Sequence, residues 1–223
     1  MKNFRVTFSL LFGLMFLMNA CQKQDITDDQ SFRNNQSSGL KATYSLTNWM
    51  GALNSNYTLS QFSVPGSHDA GARYEPVSGT AICQTLTISD QLNAGVRFLD
   101  IRCRHYYDAF TIHHGSVYQN LNFDDVLNAC TSFLNSNPTE CIIMSVKEEY
   151  NAAGNTRTFE QTFDSYTAKN PGYWYLGANI PVLSSVRGKI VLLRRFSAVT
   201  TPKGIDASNW ADNTTFTINN GSV

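Results

Sequence analysis

Two of the four histidines in this chain stand at the ends of strand-like apolar segments, where side chains that do chemistry often gather. His68 and Asp69 follow the segment LSQFSVPG, and His114 lies in the segment FTIHHG next to His113. One histidine can take a proton from an attacking hydroxyl while another gives a proton to a leaving oxygen. The pattern indicates acid–base catalysis by His68 and His114, with His113 as the alternative to His114 and a plain turn as the alternative for His68 and Asp69.

Cationic side chains end several other apolar segments. Alternation along a strand at 96–104 places Asp100 and Arg102 on one face. Because charged side chains pack poorly against helices, this face must point into a cleft or a barrel interior. Lys147 and Arg195 end two further segments. Cations at such positions stabilise the charge of phosphate oxygens. We therefore predict phosphoryl chemistry in which Arg102 does the electrostatic work and no separate metal takes part. The alternatives are that Arg102 only satisfies Asp100 and that Lys147 forms a surface ion pair.

The elements that must position these residues alternate between strand and helix. The predicted strands are 59–66, 96–104, 110–115, 141–147 and 189–196. Helical patterns cover 89–95, 122–138 and 156–169, and Asn122 is a suitable first cap. Such alternation predicts an α/β fold with a parallel sheet, either doubly wound or a barrel. The polar residues should meet at the carboxyl edge of that sheet.

The beginning of the chain has the composition of an export signal. Residues 1–20 combine two basic residues with a short apolar run, which predicts a signal peptide. Ala20 precedes Cys21, the pattern of a bacterial lipoprotein, and the alternative is cleavage without lipidation and secretion. Residues 21–43 read as a flexible tether and 44–223 as the catalytic domain. With 17 basic and 17 acidic residues the net charge is zero, which gives no sign of a nucleic-acid partner.

The remaining cysteines, Cys83, Cys103, Cys130 and Cys141, fit no metal-binding spacing. The last three lie in apolar segments, so we predict buried free thiols. We predict no metal and no cofactor.

The motifs SVPGSHDAGAR, QLNAGVRFLDIRCR, IHHGSVY, FLNSNPTECIIMSVKEEY and RGKIVLLRRF, with NWMGAL ahead of them, run in order from about residue 48 to 215. Together they resemble bacterial phosphatidylinositol-specific phospholipase C. The resemblance implies a distorted TIM-like (β/α) barrel and a monomer that acts on phosphatidylinositol, or a related inositol phospholipid, at a membrane surface. It also implies metal-independent cleavage to diacylglycerol and a cyclic inositol 1,2-phosphate, which makes the enzyme a phosphatidylinositol diacylglycerol-lyase.

The same resemblance assigns catalytic roles to four residues. His68 would be the general base on the inositol 2-hydroxyl, and His114 the general acid toward the diacylglycerol oxygen, with Asp69 as its partner. Arg102 would bind the phosphate at the place where calcium-dependent relatives hold their metal.

The remaining roles concern substrate binding. Asp100 would position Arg102, while Lys147 and Arg195 would bind inositol hydroxyls. The family's barrel continues past Val223, so we expect a chain truncated at its C-terminus, with the last strands and the aspartate that supports His68 missing.

Two other functions compete with this interpretation. A glycerophosphodiesterase also uses paired histidines on a barrel, but its acidic metal ligands fit poorly with Arg102. A surface-anchored binding module would keep the fold without turnover. Asp212 is interpreted as a loop cap.

Overall fold

A computed structural model describes residues 44–210 of the chain. The predictions made for the signal peptide at 1–20, for Cys21, for the tether at 21–43 and for Asp212 concern residues outside this range. Within the described part, no helix is both long enough and apolar enough to pass through a lipid bilayer.

Strands and helices follow one another through the described chain. The strands are β1 (Gly66–Ser67), β2 (Phe98–Tyr106), β3 (Ala109–His114), β4 (Val117–Asn122), β5 (Ile142–Glu148), β6 (Trp174–Tyr175), β7 (Ile190–Arg195) and β8 (Ile205–Asp206). The α-helices are α1 (Ile88–Asn93), α2 (Phe123–Ser136), α3 (Phe159–Lys169) and α4 (Leu183–Val186). Short 3-10 helices cover Trp49–Ala52, Leu59–Gln61 and Pro171–Tyr173.

The strands of the described residues form one open sheet in the order β4-β3-β2-β5-β7-β6, and β1 and β8 pair with β2 and β7. Strands β2, β5 and β7 are parallel neighbours, and β1, β6 and β8 pair with them in the same sense. Helices α2 and α3 lie between successive parallel strands along the chain, as such connections require. The predicted α/β fold with a parallel central sheet is confirmed.

Two details of the predicted strands are wrong. The strand expected at 59–66 is reduced to Gly66–Ser67, because Leu59–Gln61 form a 3-10 turn and Pro65 has no N–H for a ladder. Strand β3 is antiparallel to β2 rather than parallel. The two form a hairpin whose turn at Tyr107 and Asp108 has positive φ at both residues, the backbone that a tight hairpin turn needs.

The main core lies between the sheet and helices α2 and α3. It includes Leu99, Ile101, Cys103, Met144, Val146 and Leu192 from the strands, together with helical residues such as Val126, Cys130, Phe163 and Tyr166. Helix α2 begins where it was predicted, since the Asn122 amide donates to Asp125 Oδ2 at 2.9 Å. Because one face of β2 and β5 fills this core, the other face must point away from the helices, and it carries the polar residues.

A buried ion pair ties the N-terminal segment to this framework. Arg97 and Glu140 are fully buried, and Arg97 Nε and Nη2 each lie 2.9 Å from Glu140 Oε2. Arg97 also donates to four backbone carbonyls, among them those of Leu46 and Thr47, and Glu140 Oε2 accepts from the Met50 amide. Every charged donor and acceptor therefore has a partner, the condition under which a buried ion pair is tolerated.

Candidate active site

The register of the parallel strands brings three cationic residues into one row. Arg102 of β2 is paired with Lys147 of β5, which is paired with Arg195 of β7. Asp100 lies two residues earlier on the same face of β2 and is paired with Ser145. The register of the sheet therefore brings these predicted cationic residues together at its carboxyl edge.

His68 and Asp69 reach the same edge from β1. Strand β1 pairs with the start of β2, and the Ala70 amide donates to the Asp100 carbonyl at 2.8 Å. The Asp69 amide lies 3.3 Å from Asp100 Oδ2. Asp69 itself has a φ of 42°, a left-handed backbone that non-glycine residues seldom adopt and that is frequent at functional sites.

His114 reaches the site on an antiparallel strand rather than on the parallel strand that was predicted. Strand β2 continues past the site, and β3 returns antiparallel to it, so that His114 ends the returning strand near the level of Arg102. A bulge between Thr111 and His113 shifts the pairing of β3 with β4, and bulges next to active sites redirect side chains. His114 is half-buried and faces the site, whereas His113 is buried and stacks with Tyr150.

A single oxygen of Asp69 joins the catalytic candidates. Asp69 Oδ2 lies 3.4 Å from His68 Nε2, 3.5 Å from His114 Nε2 and 3.9 Å from Cys83 Sγ. The Asp69 side chain is 1% exposed. Burial raises the pKa of this carboxyl, and the positive charges of Arg102 and of the two imidazoles act against that rise. The carboxylate is thus placed within ion-pair distance of both imidazoles and of the Arg102 guanidinium.

Arg102 lies between three carboxylates. Its Nε donates to Asp100 Oδ2 at 3.2 Å and is 2.8 Å from Asp69 Oδ1, although the latter contact is an ion pair without a hydrogen bond. Nη1 is 3.6 Å from Glu149 Oε2. Burial by itself lowers the pKa of this guanidinium, and the negative charges of Asp100, Asp69 and Glu149 outweigh it and raise the pKa. Arg102 is therefore a fixed positive charge on the open side of the sheet.

The remaining predicted site residues surround Arg102. Lys147 Nζ lies 3.8 Å from Glu149 Oε2, and Arg195 Nη1 lies 3.8 Å from Asp100 Oδ1. Arg195 also donates to the Trp210 carbonyl and has its guanidinium over the Trp210 ring. Its neighbour Arg194 points to the opposite face, where it pairs with Asp206 at 2.6 Å. The structure thus brings together all seven residues predicted for catalysis and substrate binding.

The sequence reasoning missed three residues at this site. Glu149 contacts Arg102 and Lys147 and accepts from the Gly115 amide, which links the site to the end of β3. Its spacing of two residues from Lys147 could have placed it on the same face. Ser145, which donates to Asp100 Oδ1 at 3.2 Å, has the same two-residue signal. Cys83 had no such signal, because it lies in a loop.

His68 has a carboxylate at each ring nitrogen. Nδ1 lies 3.2 Å from Asp100 Oδ2, and Nε2 faces Asp69. A carboxylate beside Nδ1 favours the tautomer in which Nε2 is the base, provided that Nδ1 donates its proton to Asp100. The supporting aspartate expected beyond Val223 stays a prediction, and among the described residues Asp100 lies beside Nδ1.

Two imidazoles, an arginine and a shared carboxylate at the carboxyl edge of a parallel sheet are what an α/β barrel protein needs to bind a phosphate ester and move protons around it. Residues 55–196 match the family described as "Phosphatidylinositol-specific phospholipase C, X domain". This match covers more than half of the chain, and the chain belongs to that family.

Known proteins agree with this assignment. The chain is 38% identical over 191 residues to a 1-phosphatidylinositol phosphodiesterase of Staphylococcus aureus (strain Newman), covering 79% of the chain and 61% of that relative. It is 33% identical over 171 residues to the enzyme of the same name from Listeria monocytogenes, covering 72% and 52%. A crystal structure of a phosphatidylinositol-specific phospholipase C from Staphylococcus aureus superposes with a TM-score of 0.69 at 37% identity, over 80% of this chain and 64% of the other.

These matches confirm the predicted TIM-like α/β fold class. The chain spans about three fifths of the length of the curated Staphylococcus relative.

Proposed function

We propose that this protein cleaves phosphatidylinositol, or a related inositol phospholipid, to diacylglycerol and a cyclic inositol 1,2-phosphate without a metal ion. One observation carries the proposal: Asp69 lies within 3.5 Å of both His68 Nε2 and His114 Nε2 and within 2.8 Å of Arg102 Nε. A base, an acid and a phosphate-binding cation are thereby held around one point. The family membership supports the same activity.

The reaction follows from this placement. His68 Nε2 takes the proton of the inositol 2-hydroxyl, and that oxygen forms a bond to phosphorus. The bond between phosphorus and the diacylglycerol oxygen breaks as His114 donates a proton to that oxygen. Asp69 stabilises the His114 imidazolium until the proton leaves.

Arg102, Lys147 and Arg195 provide the positive charge that the phosphate needs and the specificity for inositol. Arg102 neutralises the non-bridging phosphate oxygens as the transition state forms, the electrostatic work that a metal performs in other phosphodiesterases. Asp100 fixes Arg102 through the 3.2 Å hydrogen bond to its Nε. Lys147 and Arg195, next to Arg102 in the register, bind inositol hydroxyls.

The direct test uses vesicles of phosphatidylinositol and phosphatidylcholine with EDTA present, followed by phosphorus NMR. We expect a cyclic phosphodiester signal with the wild-type chain and its loss with His68→Ala or His114→Ala. The control is His113→Gln, whose imidazole is buried and stacks with Tyr150 rather than facing the site. Thermal unfolding of each variant checks that it is folded.

Several results would contradict this function. A requirement for calcium would remove the metal-independent mechanism. Cleavage of glycerophosphodiesters in preference to phosphatidylinositol would favour the glycerophosphodiesterase alternative. Binding to the vesicles without any product would favour the binding module.

We also propose that the protein is exported, anchored as a monomer through lipidated Cys21 to the bacterial envelope, and does not bind nucleic acid. The support is the basic and apolar composition of 1–20, the Ala20-Cys21 pair and the zero net charge. Growth of the expressing bacterium with an alkyne-tagged fatty acid should label the wild-type protein and not Cys21→Ala. Labelling of both, or of neither, would contradict anchoring at this cysteine.

A further inference from the structure

One thiol of the described chain lies beside the catalytic candidates. Cys103, Cys130 and Cys141 are buried, as predicted, whereas Cys83 is half-buried and not in a disulfide. Cys83 lies in the loop before α1, and its Sγ is 3.9 Å from Asp69 Oδ2. The adjacent His68 side chain is 65% exposed, so an ion can reach the imidazole from solvent.

The three donor atoms have the spacing of a metal site. One ligand atom each from His68, Asp69 and Cys83 lie within 4.8 Å of one another. His68 Nε2 and Asp69 Oδ2 are 3.4 Å apart, and Cys83 Sγ is 3.9 Å from the same oxygen. Around a tetrahedral Zn²⁺ with ordinary bond lengths, ligand atoms are separated by about 3.3–3.6 Å. Closure of the site around an ion requires the loop at Cys83 to bring Sγ nearer to the other two donor atoms.

A second observation supports a metal here. Asp100 Oδ2 lies 3.2 Å from His68 Nδ1, and Asp100 also accepts from Ser145. A carboxylate on the far nitrogen of a metal-binding imidazole fixes its tautomer and its orientation, as it does in zinc proteins. With Asp100 beside Nδ1, Nε2 of the same ring lies toward Asp69.

We propose that His68, Asp69 and Cys83 form a binding site for Zn²⁺ or a similar thiophilic divalent cation, which inhibits the protein by occupying its general base. Nitrogen, carboxylate and thiolate ligands favour such ions over Ca²⁺ and Mg²⁺, which prefer oxygen. On binding, Zn²⁺ replaces the proton of the Cys83 thiol, which leaves to solvent. Thiolate and carboxylate then balance the charge of the ion, and water completes the fourth position.

The sequence analysis predicted no metal from the cysteines because their spacing along the chain matches no motif. The fold brings the three ligands together although they are not all closely spaced in the sequence. Two of them follow β1, and the third lies in a loop fourteen residues after Asp69. Inhibition rests on the proposed function of His68, whereas metal binding does not.

The binding test uses the full-length chain with Co²⁺ as a spectroscopic substitute for Zn²⁺. We expect one equivalent of Co²⁺ to produce a thiolate-to-metal charge-transfer band that Zn²⁺ displaces and Ca²⁺ does not. Cys83→Ser should lose the band, and Cys130→Ala, which removes a free thiol buried in the main core, should keep it. Asp100→Asn should weaken the affinity by about 10- to 100-fold, the usual cost of removing such a carboxylate.

A measurement on the wild-type chain keeps the test independent of folding in the variants. Zn²⁺ should slow alkylation of Cys83 by N-ethylmaleimide at least tenfold, read by peptide mass spectrometry. A Co²⁺ spectrum without a thiolate band, or equal alkylation with and without Zn²⁺, would overturn the proposal.

Vesicle cleavage then tests inhibition separately. We expect Zn²⁺ to lower the rate of the wild-type chain and to have a weaker effect on Cys83→Ser relative to that variant's own metal-free rate. Equal inhibition of both would overturn the inhibitory role. A chain that binds Zn²⁺ but cleaves no lipid would refute the proposed function but not the proposed metal site.

Discussion

Replacing Asp69 with asparagine removes one charge from the centre of the site and preserves the shape of the side chain. Asp69 Oδ2 is 3.5 Å from His114 Nε2. At an effective dielectric constant of about 20, unit charges at this distance attract by roughly 5 kcal/mol. If the asparagine dipole and water recover about half of this attraction, the remaining loss corresponds to about a 10²-fold decrease in rate. We therefore expect kcat to fall by about 30- to 100-fold.

Stability should respond differently from activity. Burial raises the pKa of Asp69 in the folded chain, so the folded state holds a proton more tightly than the unfolded state does. Above the ordinary pKa of an aspartate, the ionised carboxylate therefore opposes folding. Asp69→Asn removes that charge, and at pH 7 the variant should unfold at the same temperature as the wild type or at a higher one.

The assay measures phosphorus NMR rates on phosphatidylinositol vesicles together with unfolding followed by circular dichroism. Asp124→Asn is the control, because Asp124 forms an exposed pair with Lys169 and such pairs contribute little. The reasoning is refuted if Asp69→Asn keeps its rate to within about tenfold. It is equally refuted if the rate loss comes with a lower unfolding temperature, since Asp69 would then hold the fold.

Three further predictions follow from the structure. Arg97→Met leaves the buried Glu140 without its cation, so the free energy of unfolding in urea should fall by about 3–5 kcal/mol. Adding Glu140→Leu to this variant should restore part of that free energy, because the unpaired charge is then removed. Burial lowers the pKa of His105 and His113, so the unfolded chain binds more protons than the folded chain in mild acid. The free energy of unfolding should therefore be greatest above about pH 6.5 and decline below it. His105→Gln should make the melting temperature depend less on pH in a series from about pH 7.5 to 5. Lys147→Met should lower kcat/KM for phosphatidylinositol by about tenfold, mostly through KM, and an unchanged KM would contradict its inositol contact.

Much of the central sheet could be predicted from the residues. The apolar runs of β5 and β7 are nearly continuous because both faces of these strands are covered, and the runs marked them as parallel strands. Alternation along β2 correctly separated Leu99 and Ile101, which enter the core, from Asp100 and Arg102, which enter the site. Helix α2 was equally clear from its cap and its apolar spacing.

The segment before His68 shows where a local pattern fails. Its residues are apolar enough for a strand, but Leu59 lies in a short turn and packs in a smaller buried cluster that includes Leu183 and Val191. Tertiary packing decides the conformation of such short segments, and propensity is only a weak guide to it.

The sequence by itself determined which residues can do the chemistry. Residue types do not depend on the fold, and the alternation of a strand fixes which of them share a face. Only the tertiary structure decided how those faces meet. The β2–β3 hairpin brings His114 beside Asp69, and a bulge lies next to it in the pairing of β3 with β4. The register aligns Arg102 with Lys147 and Arg195, and a loop places Cys83 next to Asp69. These contacts join residues far apart in the chain, and the packing that creates them leaves no regular spacing in the sequence.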